Sequence, residues 1–304
     1  YSGKQSGAPA GILSPLSELP DPNGNNIWSL AIAGSVQGES APLNAIGAAI
    51  AGALIYTTVN IDNSATIESN PSFPINANQV SVESNNTLLV YTDAGGVTIA
   101  GQLSDVDSLG VAIGGAYNLY KSDSSAVATI YDANITTQSM QVESLLAPDV
   151  TSIAYGVAVD IGVATGIGVS TSLSGAFVYQ TTTDSAISSI TGGSITVNGT
   201  ASGDTLTVSA EDQSTYQASG GAGSLAVSIG GGGAVSLAPS AAVGKISITN
   251  TTQAYIGSQS VTPTSNTTLD VTVPVIVEAT TKQSVTSTVV AVAASAAISE
   301  NGLA

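Results

Sequence analysis

LGVAIGGAYNLYKSDSSAVATIYDANITTQSMQVES, residues 109–144, carries three anchors in a fixed order. A Gly/Ala-rich apolar run closes on tyrosine, a short polar–Ala–x–Ile segment follows, and an alternating apolar–polar segment ends on Glu-Ser. The first anchor recurs as AIGAAIAGALIY at 45–56, GIGVSTSLSGAFVY at 166–179 and GGGAVSLAPSAAVGKI at 231–246, with Tyr56, Tyr120 and Tyr179 at matching places. The second ends at Ile67, Ile130, Ile190 and Ile256, which are 63, 60 and 66 residues apart. The third reads QVSVES at 79–84, TLTVSAE at 205–211 and VPVIVEA at 273–279. A repeat at a fixed period is the mark of a stacked architecture.

The local chemistry favours strands. SITVNGT, TLTVSA and ISITNTT alternate apolar with small polar residues, a period of two. Val, Ile and Thr suit a pleated surface. Asn85-Asn86, Gly192-Gly193, Asn198-Gly199 and Ser202-Gly203-Asp204 read as turns. The reading is an all-β parallel β-solenoid of four repeats of about 60–70 residues. Three strand segments per repeat give coils of about 20–22 residues, about 12–13 coils in all, and a rod on the order of 60 Å long. Gly and Ala fit a narrow core in which facing sides approach closely.

Residues 1–27 differ, with Pro9, Pro15, Pro20 and Pro22 ahead of Trp28. They are expected to form an N-terminal cap or linker, with Trp28 covering the open end of a solenoid domain spanning 28–304. Residues 1–20 lack a basic start followed by an apolar run, so the chain reads as a mature form or a fragment. The last coil has no such cap and is expected to continue or to stack on another molecule.

Charge narrows the function classes. There are 21 acidic residues, four Lys and no Arg or His, for a net charge of −17. Nucleic acid and anionic membranes both need basic side chains, so neither is an expected partner. The longest apolar run, at 45–56, falls short of the roughly 20 residues of a spanning helix, and no membrane insertion of the segment is expected. Without His or Cys there is no Ser–His–Asp triad, no thiol chemistry and no His/Cys zinc site. Carboxylate pairs remain as an enzyme alternative: Asp105 with Asp107, Asp204 with Glu211 or Asp212, and Asp160. The chain is nevertheless expected not to be an enzyme and to need no cofactor. The one candidate ion is calcium, which binds oxygen alone; Asp105, Asp107 and Asp123 are its candidate ligands, against the alternative of a solvated acidic turn. Asn85, Asn134, Asn198, Asn250 and Asn266 head Asn-x-Ser/Thr sequons and are candidate glycosylation sites.

The anchors GVAIGGAYNLY, TTQAYIG (251–257) and VIVEA (275–279) resemble the repeats of giant bacterial surface proteins of the filamentous-haemagglutinin-like and large-adhesin class. The resemblance covers about residues 40–304 and implies an extracellular or cell-surface β-solenoid with adhesive or structural use. Its implied partners are surface glycans and other cells. The alternative is a self-assembling extracellular filament whose subunits stack end to end by strand addition. A polysaccharide-active β-helix enzyme is the third reading.

Overall fold

The computed structural model describes residues 27–69, 73–257 and 266–300. The proline-rich segment 1–26 lies outside them. Every regular element among the described residues is a strand. In chain order these are β1 (Ile27–Ala41), β2 (Asn44–Glu68), β3 (Ile75–Asn76), β4 (Gln79–Ser104), β5 (Asp107–Thr137), β6 (Ser139–Ala164) and β7 (Ile167–Val197). There follow β8 (Leu206–Asp212), β9 (Thr215–Gly230), β10 (Gly233–Leu237), β11 (Ser240–Ile256), β12 (Thr268–Val271), β13 (Val275–Thr281) and β14 (Ser284–Ser299).

The strands form two parallel sheets. Sheet I runs β1–β4–β6–(β8, β9)–(β13, β14), and sheet II runs β2–β5–β7–(β10, β11, β12), with β3 on β5. The chain alternates between them, so each turn of the solenoid is one long strand of sheet I followed by one of sheet II. An all-β parallel solenoid is therefore the fold.

The length of the coil differs from expectation. Ile67 pairs with Ile130, Ile130 with Ile190, and Ile190 with Ile256. The isoleucine anchor is thus a ladder between adjacent coils, and one whole repeat is one coil. The count of 12–13 coils is corrected to between four and five. With strands about 4.8 Å apart, the stack is about 20 Å high rather than 60 Å. The extent lies along the strands: the 31 residues of β5 span about 100 Å. The molecule is a broad, thin blade.

The reason is that several predicted turns are not turns. Asn85 and Asn86 lie inside β4, where buried Asn86 donates from Nδ2 to the carbonyls of Ile61 (3.2 Å) and Ser125 (3.1 Å) in the facing sheet. Gly192 and Gly193 sit within β7 at φ 74° and 75°, beside Asp132 at φ 47° in the coil below. They mark a kink stacked on a kink. Asn198-Gly199 and Ser202-Gly203-Asp204 do fall in a true connection, between β7 and β8.

Packing changes along the blade. In one half the interior holds Val82, Ile130, Met140, Val142, Ile190 and Leu206, all buried, and the outer faces carry mostly Ser, Thr, Gln, Asn and acidic residues, with Leu89, Val127, Leu145 and Ile187 among them. In the other half, which ends at the tips where sheet I turns into sheet II (104–107, 164–167 and 230–233), the interior is Gly, Ala and Ser with a few larger polar groups. There the two backbones nearly touch: a Cβ on Gly96 would lie 2.1 Å from the carbonyl oxygen of Gly115, and one on Gly156 2.2 Å from that of Gly175. The bulky residues of this half point outward.

Candidate functional site

Two kinds of place in this fold can do chemistry: buried carboxylates between the sheets, and unpaired strand edges at the ends of the stack.

Asp160 on β6 is fully buried near the tips. Its Oδ2 accepts a 2.8 Å hydrogen bond from the Thr171 amide across the interior. Burial pushes its pKa up, and the Thr171 amide, Gln102 and Ser170 hold it down in part. Gly110 makes room for the group, since a Cβ there would lie within 2.4 Å of both Asp160 oxygens, and Gly162 does the same for the neighbouring Ser170 and Ser108 hydroxyls.

A second cluster lies in the polar-faced half. Tyr216 on β9 donates to Asp184 Oδ2 on β7. Asp184 is pushed up to about 6, first by burial, then by the charges of Asp212 and Asp123, against the opposing Tyr216 bond. Asp212 accepts from the Ser214 amide (2.9 Å) and hydroxyl, from Asn250 Nδ2 (2.5 Å) and from Gln283 Nε2 (2.8 Å). These bonds satisfy a buried carboxylate with neutral donors. Burial also drives the Tyr216 hydroxyl up, and that of Tyr120 up to about 12.

The carboxylates named from sequence are dispersed. Asp105 and Asp107 are exposed at a tip, where the Asp105 carbonyl accepts from Thr165 Oγ1 and Asp107 Oδ1 accepts from the Ile167 amide at 2.7 Å. They tie one coil's turn to the next. Asp123 lies on the outer face of β5, sixteen residues from Asp107, or about 53 Å along the strand. The three proposed calcium ligands are not brought together, and no group of three or more acidic residues among the described residues forms a metal site. Asp204 bonds its own turn, accepting from the Ala201 amide at 2.8 Å. By register Asp160 lies opposite Ala226, fourteen residues beyond Asp212 and about 46 Å away along the strand.

Among the sequons, Asn85, Asn198 and Asn266 are exposed. Asn134 is half-buried and its Oδ1 accepts from the Ser194 amide at 3.1 Å. Asn250 turns inward to Asp212, which removes it as a glycan acceptor in the folded chain.

Trp28 does not cover the core. Its register partner is Tyr91, and it stands half-buried on the outer face of sheet I. The ends of the stack are instead open. Among the described residues β1 pairs only with β4 and β2 only with β5, leaving outer edges of 15 and 25 residues. At the far end β11 pairs only with β7, while β13 and β14 pair only with β8 and β9. Sheet I extends one strand beyond sheet II there. The inward-facing Val277, Val285 and Val289 are consequently 46 %, 52 % and 46 % exposed.

Compared with known proteins, the chain matches no family model, no curated sequence and no solved structure.

Proposed function

We propose that the chain is a structural element of an extracellular or cell-surface β-assembly, extended by adding strands in register at the two edges of its stack, and that its role is not catalytic. The observation carrying this is the pair of open edges: among the described residues the long parallel strands at each end have no outer partner, and the inward valines of β13 and β14, strands that meet sheet II chiefly at β10 and β11, stay about half exposed. An unpaired parallel edge is a template for another strand, and natural proteins cover such edges when they are not used. The partner at the edge is a second copy of the chain or a further coil of the same kind.

The blade shape favours this over a stalk that holds a binding tip away from a cell. A coil of 60–66 residues adds only about 4.8 Å of height. Such a coil builds a wide ribbon, with a broad face at each side, far more readily than it builds length. Adhesive use of those faces, toward glycans or other cells, stays within the same reading.

Negative-stain electron microscopy of the purified chain, with and without calcium, tests it. Ribbons about 100 Å wide with a 4.8 Å cross-strand repeat by fibre diffraction are expected. Single blades at every concentration would remove self-assembly and leave pairing to further coils.

A further inference from the structure

The tip half of the blade is inside out. On sheet I the outward positions of 95–103, 155–163, 221–229 and 290–298 are all Gly, Ala, Val, Ile or Leu, apart from Tyr155. On sheet II those of 46–54, 109–119 and 169–177 are apolar or aromatic except Thr171. Ile99, Leu103 and Ile161 on one face, and Ile50, Leu173 and Leu237 on the other, are between 42 % and 66 % exposed. Level with these positions the interior is Gly, Ala, Ser and Thr, and its largest side chains are Gln37, Glu39, Gln102 and Asp160. A water-soluble solenoid does the reverse, as this chain's other half does.

The dimensions are those of a bilayer. From residue 95 to 103, or from 109 to 117, is about 26 Å along a strand. The apolar band of a membrane β-protein is about 25 Å tall, and a bilayer's hydrocarbon core is about 30 Å. Five rows of strands make the apolar face of sheet I about 600 Å² and four rows make that of sheet II about 500 Å², toward the upper end of what a monomer usually exposes in one patch, and the two lie back to back at the same level. A second protein copy would cover one face; lipid reaches both.

The margins agree. On the side away from the tips the band is bordered by Trp28, Tyr91 and Tyr155 on sheet I and by Tyr56, Tyr117 and Tyr179 on sheet II. Amphipathic rings gather at membrane–water interfaces. Lys121 and Lys245, two of the chain's four lysines, stand on the outer face of sheet II at the same margin, in reach of headgroup phosphates. On the opposite side the exposed carboxylates Asp105 and Asp107 mark the tip. No outward position within the band is charged.

We infer that the tip half of the blade spans a lipid bilayer, with the Asp105/Asp107 turns emerging on one side and the Trp/Tyr girdle at the other interface. The helix-length criterion that argued against insertion does not bear on strands, which cross with about 9–11 residues. The inference rests on the edge-pairing reading in one respect: unpaired backbone groups in hydrocarbon cost several kcal/mol each, so the edges must be joined to other strands there.

The test is flotation with phosphatidylcholine vesicles, the chain being either mixed with them or refolded in their presence, read together with quenching of the single tryptophan by bromine-labelled lipids. The wild type is expected to float, with Trp28 quenched more strongly by bromines near the headgroups than by those at the bilayer centre. A double variant on adjacent band positions, Ile99→Glu with Val159→Glu, should lower the floated fraction at least tenfold. A matched pair on the polar half, Thr87→Glu with Ala147→Glu, should leave it unchanged, and circular dichroism without lipid checks that both variants fold. Wild type that stays in the dense fractions with Trp28 unquenched would overturn the inference, as would flotation of the band variant. So would lipid-free dimers in which one copy's band covers the other's. Ribbons that form but do not float would sink insertion alone; chains that float as single blades would sink edge pairing alone.

Discussion

Tyr216 on sheet I donates a hydrogen bond from its phenolic hydroxyl to Asp184 on sheet II, and both residues are buried between the sheets. No lysine of the described residues joins them. The interaction is therefore between a hydroxyl and a carboxyl whose charge is disfavoured by burial and by neighbouring Asp212 and Asp123.

Stability should depend on pH accordingly. Asp184 moves from 3.8 to about 6 on folding, so protonation favours the folded chain. Its contribution is complete below the unfolded value near 4 and is lost as pH rises through 6, amounting to roughly 2–3 kcal/mol. Thermal melts should show higher Tm at pH 4.5 than at pH 7.5. Asp184→Asn keeps an acceptor for Tyr216 and removes the charge, so it should raise Tm at pH 7.5 and flatten the profile. An unchanged profile in the variant would remove Asp184 as the titrating group.

The glycines of the tip half differ sharply in what surrounds them. Gly96→Ala would drive a methyl to 2.1 Å from the Gly115 carbonyl oxygen and force the sheets apart, whereas Gly223 has nothing within 4 Å. We expect Gly96→Ala to destabilise by about 1–3 kcal/mol, in the manner of an overpacked core. Gly223→Ala should be neutral or slightly stabilising, because alanine restricts the unfolded chain. Paired denaturant titrations decide it.

The isoleucine ladder should dominate the core of the polar-faced half. Ile190 is fully buried between Ile130 and Ile256. Ile190→Ala should cost about 2–5 kcal/mol. The loss is read as a fall in the denaturant midpoint at constant slope.

That ladder is also what could be read beforehand. Ile67, Ile130, Ile190 and Ile256 stand at a common period because they touch in space, and Val82, Val142 and Val208 stack likewise. The tyrosine anchor misleads by one residue. Tyr56 pairs with Leu119, not with Tyr120, and Leu119 pairs with Tyr179. A shift of one reverses the face, so Tyr120 is buried while Tyr56 and Tyr179 lie on the outside. Coil length was illegible because Asn85-Asn86 and Gly192-Gly193 have turn chemistry but are spent on cross-sheet bonding and a stacked kink. The Asp184–Tyr216 pair escaped notice because its members are 32 residues apart and meet only when the sheets face each other. The inverted half hid for a similar reason: alternation shows two faces, but not which one is the interior.

Edge pairing makes its own prediction. In a parallel strand, alternate residues direct their N–H groups to opposite neighbours, so of two adjacent positions on β1 one points to β4 and the other outward. Of Ser35→Pro and Val36→Pro, one should abolish ribbon formation with little effect on Tm, and the other should lower Tm by removing a bond to β4. If both leave ribbons intact, β1 is not the joining edge.

The most direct test of the architecture is the distance between Ser125 and Ser185, which are register partners on the outer face of sheet II. The chain has no cysteine, so nitroxide labels can be placed at Ser125→Cys and Ser185→Cys without competing sites. One coil per repeat puts the two backbones on adjacent strands, about 5 Å apart, and predicts strong dipolar broadening in the doubly labelled chain. Coils of 20–22 residues would place three strand spacings, about 14 Å, between them, and broadening no stronger than that separation gives, or none, would contradict the blade.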